Sequence, residues 1–123
     1  MIGVGIDLLE IERMEAALTR RPRLAERVFT VEERAYAERH KNSAQHFAAR
    51  FCAKESVAKA LGLTAWGWRD VEVVATGAAP RVRLHGRAAE AAERLGAEIH
   101  LSLTHSQLTA GAVAVASRAK EVR

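Results

Sequence analysis

The segment RFCAKESVAKALG, Arg50 to Gly62, constrains this chain more than any other stretch. With the residues before it, the segment predicts one long helix over 44–61, ended by Gly62 and capped by Ser43. At about 100° per residue, Arg50, Lys54, Phe47, Val57 and Leu61 share one broad arc, and Glu55, Lys59, Ala48 and Cys52 occupy the opposite one. Apolar residues therefore lie nearly all round, and charges interrupt both faces. A surface helix segregates its charges, and this one does not. Its four charged residues are either surface decoration or a site.

A chain of 123 residues, 49% hydrophobic, can bury such a helix within one domain, expected to span 1–123. The single Cys52 excludes an internal disulfide framework and suits a reducing compartment. No apolar run approaches the ~20 residues of a membrane span, and the N-terminus lacks a basic-then-apolar secretory pattern. A soluble cytoplasmic protein with no membrane partner is expected. The net charge is +4, and its placement matters more than its size. Five arginines (Arg13, Arg20, Arg21, Arg23, Arg27) face only Glu15 and Glu26 in the stretch from Arg13 to Arg27. Such a patch is either a solvated helix face or a surface for an acidic partner: nucleic acid, membrane or acidic protein.

The coarse organisation follows from period. MIGVGID alternates Ile2, Val4 and Ile6 against Gly3, Gly5 and Asp7, a strand with one almost bare face. The following residues change to helical spacing, with Asp7 and Glu10 resembling a capping box and Pro22 ending the helix. Thr30 and Glu33 form a better capping box, opening a helix from about Val31 to His40. RDVEVVAT and RVRLH read as strands joined by the turn GAAP, GRAAEAAERLG as a helix ended by Gly96, and EIHLSLTH and AGAVAVAS as closing strands. The order predicts an α+β fold, helices packed on one face of an antiparallel or mixed sheet. The AGAVAVAS strand, almost devoid of bulk, is expected to offer small flat faces to another copy of the chain.

Glu55 and Lys59 at i,i+4 make an ordinary helix ion pair worth roughly 0.3–0.5 kcal/mol. Two features argue for more. Ala48 and Cys52 leave the arc of Glu55 open to close approach, and Asp7 stands on the bare glycine face where another element could pack. If helix and strand meet there, two carboxylates face one space, and a cation resolves their repulsion. Mg²⁺ is held by one or two carboxylates and keeps the rest of its shell for waters and phosphates. Lys59 would then offer positive charge to those phosphates. There is no P-loop, nucleophile elbow or zinc spacing. Cys52 reads as core, Trp66 and Trp68 as packing anchors or a lid, and His105 as a hydrogen-bonded histidine at a strand end.

VGIDLLEIERM, FAARFCAKESVAKALG, WRDVEV and HLSLTHS, in this order and spacing, resemble the holo-acyl-carrier-protein synthase family of 4′-phosphopantetheinyl transferases, from Ile2 to about Ala116. The resemblance implies transfer of 4′-phosphopantetheine from coenzyme A to a serine of an acyl carrier protein. It implies Mg²⁺ on Asp7 and Glu55, coenzyme A phosphates on Lys59, and His105 lining the same nucleotide site. Arg50 and Lys54 match family positions near that site. Catalytic roles fall to Glu55, Lys59 and His105, with Glu55 or a metal-ordered water as the base. The acidic carrier protein supplies a partner for Arg13, Arg20, Arg21 and Arg23, and a homotrimer with sites between protomers is implied. Where the family has a G-x-P turn this chain has Gly77-Ala78-Ala79-Pro80, and no site residue is assigned there. The competing class is a small basic RNA-binding module. With only 5% aromatic residues, and Phe47 and Phe51 at core positions, it lacks a base-stacking surface.

Overall fold

The computed structural model describes residues 1–119. Three strands, β1 (Gly3–Glu10), β4 (Ala97–His105) and β5 (Thr109–Arg118), form an antiparallel sheet in the order β1-β5-β4. The long helix α4 (Ser43–Leu61) lies across one face of it. A second, two-stranded sheet pairs β2 (Val71–Val74) with β3 (Arg81–Leu84). Around this frame sit α1 (Ile11–Arg20), α2 (Leu24–Val28), α3 (Val31–Glu38) and α5 (Gly86–Leu95). The α+β architecture is the one expected from sequence.

Register explains why α4 can lie so low. Gly3, Gly5 and Asp7 of β1 pair with Ala116, Ala114 and Ala112 of β5, which pair in turn with Ile99, Leu101 and Leu103 of β4. Because successive side chains alternate between faces, all nine point towards α4. On β1 that face has no bulk: a Cβ on Gly3 would lie 2.0 Å from the Ala60 carbonyl oxygen, and one on Gly5 1.9 Å from that of Ser56. The Ser56 hydroxyl reaches across and donates to the Ala112 carbonyl at 3.0 Å. Strand and helix backbones are therefore in direct contact, which no residue but glycine permits. The Gly5→Ala chain should lose about 3 kcal/mol or more, since the neighbouring atom is backbone and cannot swing aside. Thermal unfolding should show a melting temperature lower by about 10 °C; an unchanged value would mean the two elements are not in contact.

Several local expectations need correcting. Asp7 and Glu10 are not a capping box: β1 runs through both, and α1 starts at Ile11 with Glu10 as a cap position that makes no side-chain bond. Pairing of all eight β1 residues with β5 outweighs the capping pattern. Ser43 is the first residue of α4 rather than its cap, a position held by Asn42 without a side-chain bond. Pro22 does follow the end of α1, and after the turn at Pro22 and Arg23 the chain adds one short helix, α2, that was not expected. The capping box at Thr30 is present in both directions, Glu33 N donating to Thr30 Oγ1 at 3.2 Å and Thr30 N to Glu33 Oε1 at 2.9 Å.

The alanine face of β5 is not free for another copy either. Ala110, Ala112, Ala114 and Ala116 are buried under the chain's own α4. The uncovered apolar surface is on the opposite side, where Val4, Ile6 and Leu8 of β1 are 54%, 63% and 65% exposed. Val113 and Val115 of β5 stand beside them in register.

Candidate active site

Where α4 crosses β1, Asp7 emerges beside the helix. Its Oδ1 lies 3.8 Å from Lys59 Nζ, and the same ammonium donates to the Ile6 carbonyl at 3.0 Å. Glu55, one turn before Lys59, has its carboxyl pKa raised, by burial first and then by the Asp7 charge, with Lys59 pulling the other way. Two carboxylates and one ammonium therefore share a half-buried space, and the negative charge is in excess.

That excess fits a divalent cation. Both donors are hard carboxylate oxygens, and among the described residues no cluster of three or more His, Cys, Asp or Glu side chains forms an all-protein cage. A two-carboxylate site leaves most of a cation's shell to water or phosphate, which suits Mg²⁺ better than zinc. Cys52 is on the buried side of the same helix, its Sγ donating to the Ala110 carbonyl at 3.7 Å. Burial, then the Asp7 and Glu55 charges, push its thiol up to about 12, so it stays protonated and packs as core.

Beside Glu55 opens a cleft of about 690 Å³ walled by Trp66, Trp68 and Asp70 on one side and Gly86 and Arg87 at the start of α5 on another. The two tryptophans pack edge to face at 4.7 Å, and Trp68 stacks on Phe51 at 4.9 Å. They serve as packing anchors, yet they also line the site. Arg87 carried no signal in the sequence, because nothing in its neighbours marks α5 as starting at a cleft.

His105 and Arg50 are not beside Asp7. His105 ends β4 two residues beyond Leu103, the register partner of Ala112 and, through it, of Asp7. Two strand spacings and two residue rises put the His105 and Asp7 backbones about 12 Å apart. Its Nε2 instead accepts from Gln45 Nε2 at 3.0 Å, near the start of α4. Around it lies a second cluster. His46 has its pKa lowered by burial first and then by the positive charges of His40, Arg50 and His105. Arg50 is 4% exposed, lies 4.0 Å over the Tyr36 ring, and its Nε has no hydrogen-bond partner among the described residues. Burial depresses its pKa as well. One chain thus holds an acidic cluster and a basic cluster on the same sheet face, some distance apart. Within one chain the two clusters do not meet.

Lys54 departs furthest from expectation. It is 0% exposed, and its ammonium donates to Glu33 Oε1 at 2.7 Å, to the Trp68 carbonyl at 3.1 Å and to the Val71 carbonyl. All three protons are spent inside the fold, leaving none for a phosphate.

Arg13, Arg20, Arg21 and Arg23 are exposed, as a docking patch requires. Arg13 and Arg20 rim an apolar cavity of about 340 Å³ floored by Met14, Leu24, Phe29 and Phe51. No helix of the described residues is long and apolar enough to cross a membrane.

Comparison with known proteins gives one family. Residues 3–115 match the model of the 4′-phosphopantetheinyl transferase superfamily. A holo-[acyl-carrier-protein] synthase of Moorella thermoacetica is 48% identical over 120 residues, spanning 94% of this chain and 93% of the relative. The solved acyl carrier protein synthase of Mycobacterium tuberculosis is 36% identical with a TM-score of 0.76, over 96% of this chain and 98% of that one. A holo-(acyl-carrier-protein) synthase of Bacillus anthracis, solved in complex with CoA (3′,5′-ADP), is 29% identical with a TM-score of 0.79, covering 96% and 97% of the two chains.

Proposed function

Because the chain belongs to the 4′-phosphopantetheinyl transferase superfamily, we propose that it transfers 4′-phosphopantetheine from coenzyme A to a serine of an apo acyl carrier protein. Adenosine 3′,5′-bisphosphate is the other product. The observation that carries this reading is the meeting of Asp7, Glu55 and Lys59 where the glycine face of β1 lets α4 touch the strand.

In this reading Asp7 and Glu55 would hold Mg²⁺, which would supply Lewis acidity to the pyrophosphate. The remaining roles belong to the chain. Lys59, exposed and tethered through the Ile6 carbonyl, keeps its ammonium beside the carboxylates and stabilises negative charge as the phosphorus–oxygen bond to the bisphosphate breaks. The carrier serine oxygen forms the new bond to phosphorus, and its proton goes to Glu55 or to a water ordered beside it. Arg50 and His105 attract a phosphate of the nucleotide. Arg50 suits that role because it is a buried guanidinium whose Nε lacks a partner among the described residues.

The acidic and basic clusters then serve one nucleotide across two copies of the chain, Asp7 and Glu55 from one and Arg50 and His105 from its neighbour. The exposed row Val4, Ile6 and Leu8 gives those copies an apolar surface to bury, consistent with a homotrimer. Arg13, Arg20, Arg21 and Arg23 receive the acidic carrier, and the apolar cavity between Arg13 and Arg20 takes one of its side chains. A cytoplasmic location belongs to the same reading.

The test is dependence on the carrier. Coenzyme A should be consumed, and adenosine 3′,5′-bisphosphate should form, only when apo carrier protein is present. Release of the bisphosphate at the same rate without carrier would make the protein a hydrolase instead.

A further inference from the structure

We propose that Lys54 is a positioning residue that holds the segment from Trp66 to Asp70 as one wall of the cleft beside Glu55, and that it touches no substrate itself. The proposal rests on the transferase reading for its functional consequence, though its structural half stands alone.

The argument starts from where the hydrogen bonds of this segment go. Gly67 N donates to Asp70 Oδ2 at 3.1 Å and Asp70 N to the Gly67 carbonyl at 2.9 Å, so its own bonds close the short turn Trp68–Asp70 on itself. The Asp70 carbonyl accepts from His85 N at 2.8 Å, a tie to the strand before α5. Towards α4, the hydrogen bonds of 64–71 among the described residues all come from Lys54. Its ammonium takes the carbonyl of the first turn residue, Trp68, and that of Val71 just past the last. One side chain thus grips both ends of the turn.

A lone ammonium in such a place would be unstable, and Glu33 removes the difficulty. Glu33 is 1% exposed; Oε1 accepts from Lys54 at 2.7 Å and from Thr30 N, and Oε2 accepts from Val73 N at 2.8 Å. The pair is fixed to the helix cap on one side and to β2 on the other. A buried pair of this sort is seldom retained for net stability, since apolar residues of like volume do as well. What it does give here is a defined spacing. Lys54 and Glu55 are consecutive on α4, so the wall is set relative to the carboxylate that faces the cleft. Without the bonds to Trp68 and Val71, the segment keeps apolar packing towards α4, Trp68 stacked on Phe51 and Trp66 against the cluster that holds Val57 and Leu61.

The chain supplies its own reporter, because its two tryptophans, Trp66 and Trp68, are both in the clamped segment. In Lys54→Met, acrylamide quenching of tryptophan fluorescence should at least double and KM for coenzyme A should rise about tenfold, with kcat and KM for carrier protein within about threefold of wild type. A purely structural lysine would lower the amount of folded enzyme, and so kcat, while leaving KM unchanged. Lys54→Met leaves Glu33 buried without its counterion and can fail to fold. Lys54→Arg then carries the test: it keeps the charge beside Glu33, but its rigid planar fork cannot also serve both carbonyls, and about threefold changes in quenching and KM are expected. Quenching and KM both unchanged in a folded variant, or a loss confined to kcat, overturns the proposal. If wild type itself consumes no coenzyme A, the transferase reading fails instead, and the quenching comparison alone decides whether Lys54 clamps the wall.

Discussion

Asp7→Ala and Glu55→Ala should each lower the rate of phosphopantetheine transfer by about a thousandfold, the scale on which removing one preorganised charged partner of a transition state acts. Neither should cost stability. Asp7 lies in β1 and caps no helix, and its ion pair with the half-exposed Lys59, at 3.8 Å, is worth little. Glu55 goes further. Its pKa is raised in the folded protein, so the folded state holds that proton more tightly than the unfolded state does. The destabilisation from Glu55 is absent at low pH and grows as pH rises from the ordinary carboxylate range through the raised folded value. Glu55→Gln should therefore be slightly more stable than wild type at neutral pH and no different in acid. Mg²⁺ relieves the same repulsion, so it should raise the melting temperature of wild type but not of Asp7→Ala. Near-normal activity in either alanine variant, or an equal thermal response to Mg²⁺ in wild type and Asp7→Ala, would contradict the shared-metal account.

Charge reversal on the first helix has the next largest expected effect. Arg13→Glu with Arg21→Glu should raise KM for carrier protein at least about tenfold and flatten its dependence on salt, because exposed charges steer encounter and are screened within about 10 Å at 0.1 M. Coenzyme A should be indifferent, since its phosphates are assigned to Lys59, Arg50 and His105 on other elements. Steady-state kinetics at two ionic strengths separates the cases. If KM for both substrates rises together, or neither rises, α1 is not the docking surface.

Much of this was legible in the sequence because it depends on short-range rules. Alternation in MIGVGID located both the strand and its bare face, and that face turned out to lie against α4, so the meeting of Asp7 with Glu55 could be anticipated from a missing Cβ. The Thr30 and Glu33 spacing gave the cap. The same spacing could not disclose that Glu33 is also the counterion of Lys54, twenty-one residues on, because that contact exists only after α3 and β2 have packed against α4. For the same reason Lys54 looked like a ligand: a lysine beside a site glutamate in sequence points elsewhere around the helix in space. Asp7 and Glu10 show the opposite failure, where a capping pattern was outweighed by a ladder of strand bonds to residues about a hundred positions away. The separation of His105 from Asp7 follows from strand order, β4 lying beyond β5, and no local signal encodes strand order.

The central claim is transfer of an intact phosphopantetheine to the carrier by the metal-dependent site at Asp7 and Glu55. Intact-mass spectrometry of apo carrier protein after incubation with this protein, coenzyme A and Mg²⁺, beside the same mixture with a chelator, tests it most directly. The account predicts a carrier heavier by one phosphopantetheine, located on a serine, in the first mixture and an unchanged carrier in the second. A carrier left unmodified in both, or modified equally in both, would contradict it.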